Sequence, residues 1–125
     1  MKSYPVITGR KIRMAVVGCG RISKNHFDSI SKHKDNIELI SICDVNKETL
    51  TEHEKTYNIK GYLSLEEMLE NEKLDLVIIC TPSGIHADQT ELCAKHKINV
   101  MTEKPMAIRR RDGIRMVKTY YSEWV

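Results

Sequence analysis

Apolar positions in this chain come in short blocks, and the polar stretches between them carry the signals that start and stop helices. Ile12 to Val17 is mostly apolar and ends at Gly18, which reads as a buried strand. Arg21 to Lys34 predicts a helix with Ile22, Phe27 and Ile30 facing inward. Ile37 to Cys43 is a second β-prone run. Asn46 is a good N-cap for a helix reaching about Tyr57. Gly61 and Tyr62 leave room for a short strand. Ser64 with Glu67 forms a capping box ahead of Leu65, Met68 and Leu69. Leu74 to Cys80 is the clearest strand, apolar and β-branched, stopped by Thr81 and Pro82. Ile85 to Lys97 predicts a helix and Ile98 to Thr102 a strand. Ile114, Val117, Tyr121 and Trp124 then recur at helical spacing, one apolar stripe on a last helix.

Strand and helix alternate throughout, and the strands are apolar on both faces. Such strands belong in a parallel sheet covered by helices on each side. The predicted fold class is therefore α/β, a doubly wound parallel sheet of the Rossmann, dinucleotide-binding type. Residues 1–11 are expected to be a flexible basic start and residues 12–125 the domain. A full dinucleotide fold has about six strands. The pattern supplies one fewer, and the chain ends where a sixth strand, and then a second domain, would be expected.

Composition narrows the class. The 125 residues suit one domain, and 30% charged with 41% hydrophobic residues is ordinary soluble usage. A net charge of +3 is too small to argue for nucleic acid. Part of it lies in Lys2, Arg10, Lys11 and Arg13, and part in Arg109, Arg110 and Arg111, read as a solvated face or as a contact for substrate phosphates. No apolar run approaches the roughly 20 residues of a membrane span, and the start lacks a signal-peptide pattern, so a cytoplasmic location is expected. Cys19, Cys43, Cys80 and Cys93 contain no C-x-x-C pair and read as reduced, structural thiols. Cys93 and His96 have a C-x-x-H spacing, but one such pair does not close a zinc site, so no metal is expected.

Candidate chemistry begins at Val16-Val17-Gly18-Cys19-Gly20-Arg21-Ile22-Ser23. Gly18 permits a tight turn. Gly20, lacking a side chain, lets a pyrophosphate approach the backbone, and the free N–H groups at the helix start face the anion. Ser23 stands where a third glycine or alanine is usual. Asp44, just after the second strand, lies 24 residues after Gly20, close to the roughly 20 at which an acid that hydrogen-bonds the ribose hydroxyls and repels a 2′-phosphate belongs. That favours NAD over NADP. Asp44 also reads as an ordinary turn or cap residue. A methyltransferase shares a G-x-G turn, but the string here lacks a further glycine two residues after Gly20.

Two later motifs fall at carboxyl ends of strands, the ligand side of such a fold. They are Thr81-Pro82-Ser83-Gly84-Ile85-His86 and Glu103-Lys104-Pro105-Met106-Ala107. A lysine at the mouth of a cofactor cleft is suited to polarise a hydroxyl, hold a carboxamide or take part in proton transfer. His86 reads equally as a packed helix-start residue. His26, His33, His53 and His96 read as solvated or packing residues.

In this order and spacing, G-C-G-R-I-S, Asp44, T-P-S-G-I-H and E-K-P-M-A resemble the glucose–fructose oxidoreductase, inositol dehydrogenase and rhizopine-catabolism (Gfo/Idh/MocA) family. The resemblance covers Lys11 to about Lys118. More narrowly, the stretch from Gly9 to Phe27 with the two later motifs resembles bacterial UDP-N-acetyl-glucosaminuronate 3-dehydrogenases, enzymes of surface-polysaccharide synthesis. The resemblance implies that Gly18, Cys19, Gly20, Arg21 and Ile22 cradle the pyrophosphate of NAD. It also implies that Asp44 holds the adenosine ribose and that Thr81, Pro82 and His86 line the cleft. Glu103 and Lys104 would lie at the nicotinamide end, with Lys104 the catalytic lysine and Pro105 after a cis peptide.

The family has a second, sheet-based domain that supplies most substrate contacts. Nothing in these residues supplies it, so a truncated or frameshifted dehydrogenase is expected, inactive alone. Two functions follow: an NAD-dependent oxidoreductase of a nucleotide-sugar acid, or a non-catalytic nucleotide-binding module or gene remnant. An open sheet edge and an uncovered last helix would favour self-association.

Overall fold

In the computed structural model, which describes residues 6–123, β1 (Ile12–Val17), β2 (Ile37–Cys43), β3 (Lys60–Tyr62), β4 (Leu76–Ile79) and β5 (Asn99–Thr102) form one sheet of five parallel strands. Their spatial order is β3-β2-β1-β4-β5, so the chain reverses direction across the sheet between β1 and β4. The connecting helices are α1 (Ser23–Lys32), α2 (Lys47–Tyr57), α3 (Leu65–Asn71) and α4 (His86–Lys95), and α5 (Arg110–Glu123) follows β5.

Side-chain alternation along the strands divides the core in two. Met14 and Val16 of β1, Ile42 of β2 and Ile78 of β4 pack with Phe27 and Ile30 of α1 and Leu50 of α2. Ala15 and Val17, Cys43, and Val77 and Ile79 point the other way, onto Met68 and Leu69 of α3 and Cys93 of α4. Burying each of the larger aliphatic side chains contributes about 1.5–3 kcal/mol. Two such faces explain why the strands carry so few polar residues.

Local signals set the element ends. Asn46 accepts a hydrogen bond from the Thr49 N–H at 3.0 Å, and Ser64 accepts one from the Glu67 N–H at 3.3 Å, so both expected caps form. β1, β2 and α2 keep the expected bounds, while α1, β4, α4 and β5 are shorter than their hydropathy blocks. Leu74 is buried but precedes β4, Ser83–Ile85 is a single 3₁₀ turn, and α4 begins only at His86.

Three expectations change. Ile22 does not face the core; it lies before α1 and is 42% exposed at the mouth of the glycine turn. The basic start is tied down at its end, because Arg10 donates from both guanidinium nitrogens to Asp75, at 2.7 and 2.9 Å. On α5 the buried residue is Met116, while Ile114, Val117 and Tyr121 are exposed. Trp124 lies outside the described residues.

Candidate nucleotide-binding site

A parallel sheet brings all its strand ends to one side. The turn after β1, the acid after β2 and the motifs after β4 and β5 therefore meet on one rim, beside the β1–β4 reversal where ligands of this fold class bind.

Gly18 has φ +90°, a conformation open to glycine at no steric cost. A Cβ there would stand 2.9 Å from the Cys80 carbonyl carbon and 2.9 Å from the Thr81 nitrogen. Glycine is thus required twice, for the turn and for the approach of the β4 backbone. Gly20 differs. A Cβ built on it meets nothing within 4 Å, because it would point into the open space that a phosphate needs. Ser23 is fully buried and donates to the Gly20 carbonyl at 2.6 Å, closing the turn onto α1 in place of a third glycine.

The amides of this turn do not act alike. The Cys19 N–H donates to Asp44 Oδ2 at 2.8 Å, so it already has an acceptor within the protein. The Gly20, Arg21 and Ile22 N–H groups have no protein acceptor among the described residues. They precede α1, whose dipole adds to the attraction for an anion. Asp44 Oδ1 accepts a second bond, from the Asn46 N–H at 2.8 Å. Asp44 is therefore the turn residue that its Asp-Val-Asn setting suggested. Each oxygen still has a lone pair left for a hydroxyl. Val45 beside it is 89% exposed, an apolar surface at the same rim. Open space over Gly20, three free amides and a carboxylate one strand away fit the phosphates and ribose of a dinucleotide.

The β4 motif is braced from within. Thr81 donates its hydroxyl to Gln89 Oε1 at 2.5 Å, and its carbonyl lies 2.7 Å from His86 Nε2. His86 is 1% exposed, and its Nδ1 lies 3.2 Å from the Met106 carbonyl. One ring N–H donates to one of these carbonyls and the ring packs against the other, so His86 clips the β4 loop to the segment after Pro105. Pro82, Gly84 and Ile85 are the exposed members of this motif.

After β5, the Glu103 N–H donates to the Ile79 carbonyl at 2.9 Å, continuing the ladder by one residue. The Lys104–Pro105 peptide is cis, and both residues are exposed. The Glu103 carboxylate meets His26 Nε2 of α1 at 2.5 Å. That contact, with the nearby Lys104 amide and ammonium, holds the Glu103 carboxyl below its ordinary range despite partial burial. His26 is thus no bystander on a helix surface. Burial pushes the thiols of Cys19, Cys43, Cys80 and Cys93 up to about 12, and all four are free.

Residues 12–123 match the oxidoreductase family with an NAD-binding Rossmann fold, Gfo/Idh/MocA. The chain belongs to this family. Among Gfo/Idh/MocA structures, that of the WlbA dehydrogenase from Chromobacterium violaceum, in complex with NADH and UDP-GlcNAcA, superposes with a TM-score of 0.96 at 45% identity. The match covers 99% of this chain and 36% of that one. The WlbA dehydrogenase from Bordetella pertussis, also with NADH and UDP-GlcNAcA, gives 0.93 at 45% identity, covering 96% and 36%. A curated relative, the myo-inositol 2-dehydrogenase of Thermotoga maritima, is 32% identical over 108 residues, 86% of this chain and 32% of its own. The chain thus spans about a third of the length of these family members and corresponds to their NAD-binding domain. Among the described residues no helix is long and apolar enough to cross a membrane.

Proposed function

We propose that these residues form the NAD-binding part of a cytoplasmic dehydrogenase that oxidises a hydroxyl-bearing carbon of a UDP-sugar acid, at C3. The observation that carries this reading is the carboxyl-end rim. Three free amides over an open glycine, an acid on the next strand and an exposed lysine after β5 line one side of the sheet. The likeness to the two WlbA enzymes with UDP-GlcNAcA supports the choice of substrate.

When bound, NAD⁺ would accept the hydride that leaves the sugar carbon. The protein's part is to hold and orient. The Gly20, Arg21 and Ile22 amides bind pyrophosphate oxygens, and Gly18 keeps the turn low enough for them to reach. Asp44 takes the adenosine ribose and disfavours a 2′-phosphate by like charge. Thr81 and Pro82 wall the cleft, and His86 acts on it through the Thr81 and Met106 carbonyls. Lys104 Nζ donates a hydrogen bond to the sugar oxygen and steadies the charge that develops there as the hydroxyl proton passes to a general base supplied from outside these residues. A substrate wall on the far side, which positions the sugar, is supplied from outside these residues.

The test is a titration with NADH, NADPH and UDP-N-acetylglucosaminuronate, followed by nicotinamide fluorescence, alongside an assay for NADH formation. Tighter binding of NADH than of NADPH supports the cofactor assignment, and preference for NADPH overturns it. NADH formation that needs the sugar acid and is lost in Lys104→Ala supports the catalytic assignment. Binding of NADH with no effect of the sugar acid, even when the substrate wall of the full-length enzyme is supplied, favours a nucleotide-binding module.

A further inference from the structure

His26 and Glu103 are 77 residues apart in sequence and touch through side chains that are 20% and 24% exposed. Their elements serve opposite ends of the site. His26 stands in the first turns of α1, the helix whose start carries the free amides. Glu103 stands at the end of β5, beside Lys104. Between β1, which leads into α1, and β5 lies β4. The pair therefore bridges two strand positions across the rim and joins the phosphate end to the lysine.

The chemistry of the contact is one-directional. The Glu103 carboxylate only accepts, so the imidazole must present Nε2–H. The Glu103 backbone is pinned to Ile79 by the sheet, so the side chain is its one free part, and His26 fixes it. The Lys104 amide and ammonium lie near the same carboxylate without an ion pair to it among the described residues, and the Cys80 thiol is also near. A Glu103 side chain released from His26 would be free to turn toward the Lys104 ammonium and draw it from the cleft.

We propose that His26 is a positioning residue for the lysine end of the site: by holding Glu103 it keeps Lys104 turned toward the nicotinamide half of the cofactor. This rests on the cofactor reading above, and His26 itself touches neither cofactor nor substrate.

The experiment compares wild type, His26→Ala and His26→Gln in two measurements. The first needs no ligand: the Lys104 amide resonance by ¹⁵N NMR. It should move in His26→Ala and return in His26→Gln, whose amide N–H reaches as far as Nε2. The second compares affinity for NADH with that for ADP-ribose, which lacks the nicotinamide. His26→Ala should lose about three- to tenfold in NADH affinity, the scale of one ordinary net hydrogen bond, because the lost contact acts on the cofactor only through Glu103 and Lys104. ADP-ribose affinity should stay within about twofold, and His26→Gln should restore most of the NADH loss. A Lys104 resonance indifferent to His26 overturns the proposal. So does an equal loss for both ligands, which would mean that His26 only props α1. Wild type that fails to bind either ligand while the Lys104 resonance responds to His26 refutes the cofactor reading and leaves the His26–Glu103–Lys104 coupling standing.

Discussion

The Cys19 N–H and Asp44 Oδ2, 2.8 Å apart, tie the glycine turn after β1 to the turn after β2. Asp44 thus shapes the site as well as facing it, since its other oxygen holds the Asn46 amide. Replacing it should have two separable effects. Asp44→Ala leaves both amides without their acceptor and should cost about 1–3 kcal/mol of stability, read from urea unfolding. Asp44→Asn keeps one acceptor and removes the charge. It should lose less stability than alanine, yet narrow the preference for NADH over NADPH toward unity in fluorescence titrations. Equal damage to stability from both variants would show that the charge, not the acceptor, holds the turn.

The two glycines of the turn should respond in opposite ways. Gly18→Ala puts a Cβ 2.9 Å from backbone atoms of Cys80 and Thr81 at a positive φ, and should destabilise by about 3 kcal/mol. Gly20→Ala meets no atom within 4 Å and should change stability by less than about 0.5 kcal/mol. It should nevertheless weaken NADH binding at least tenfold, because the methyl occupies phosphate space. Paired denaturation and binding curves separate the two. A Gly20→Ala variant that binds NADH normally would move the phosphate elsewhere.

Asp75 should dominate the acid side of the stability profile. It takes both nitrogens of the Arg10 guanidinium, the Arg13 N–H at 2.8 Å and the Arg13 side chain at 3.4 Å. The Arg10 bond, backed by Arg13 and opposed by partial burial, holds its carboxyl well below the ordinary range. A depressed carboxyl stabilises the fold fully above its unfolded pKa, about 3.9, and that contribution is lost as pH falls toward the folded value. Asp75→Asn should therefore cost about 1–3 kcal/mol at pH 7. The gap to wild type should stay constant from about pH 8 to pH 5 and close below about pH 4. A gap that grows on acidification would contradict this.

What could be read in advance depended on whether the cause was local. Gly18 was legible because residue type alone signals its turn, and Asn46 and Ser64 because a cap is settled within three residues. The two-faced apolar strands announced the doubly wound sheet. Ile22 was misplaced because helical spacing was extended into the turn before α1 starts. The brace from His86 to Thr81 and Met106 needs the loops after β4 and β5 to fold against each other. The His26–Glu103 contact needs α1 to cross toward β5, a fact of topology with no trace in either residue's neighbours.

The strands sit in a different order from that in which they are made. β1 gains β2 as soon as the chain passes Cys43, but its other side waits for β4, beyond Leu76. Until then the centre of the sheet is an open edge, which is slow to close and adhesive while it lasts. The wall against which Gly18 is fitted is the backbone of Cys80 and Thr81. The Gly18–Ile22 turn is therefore made before the strand end it is fitted against, and takes its working shape only after β4 is in place. The phosphate turn and the wall behind it are thus two halves of one surface, made about sixty residues apart.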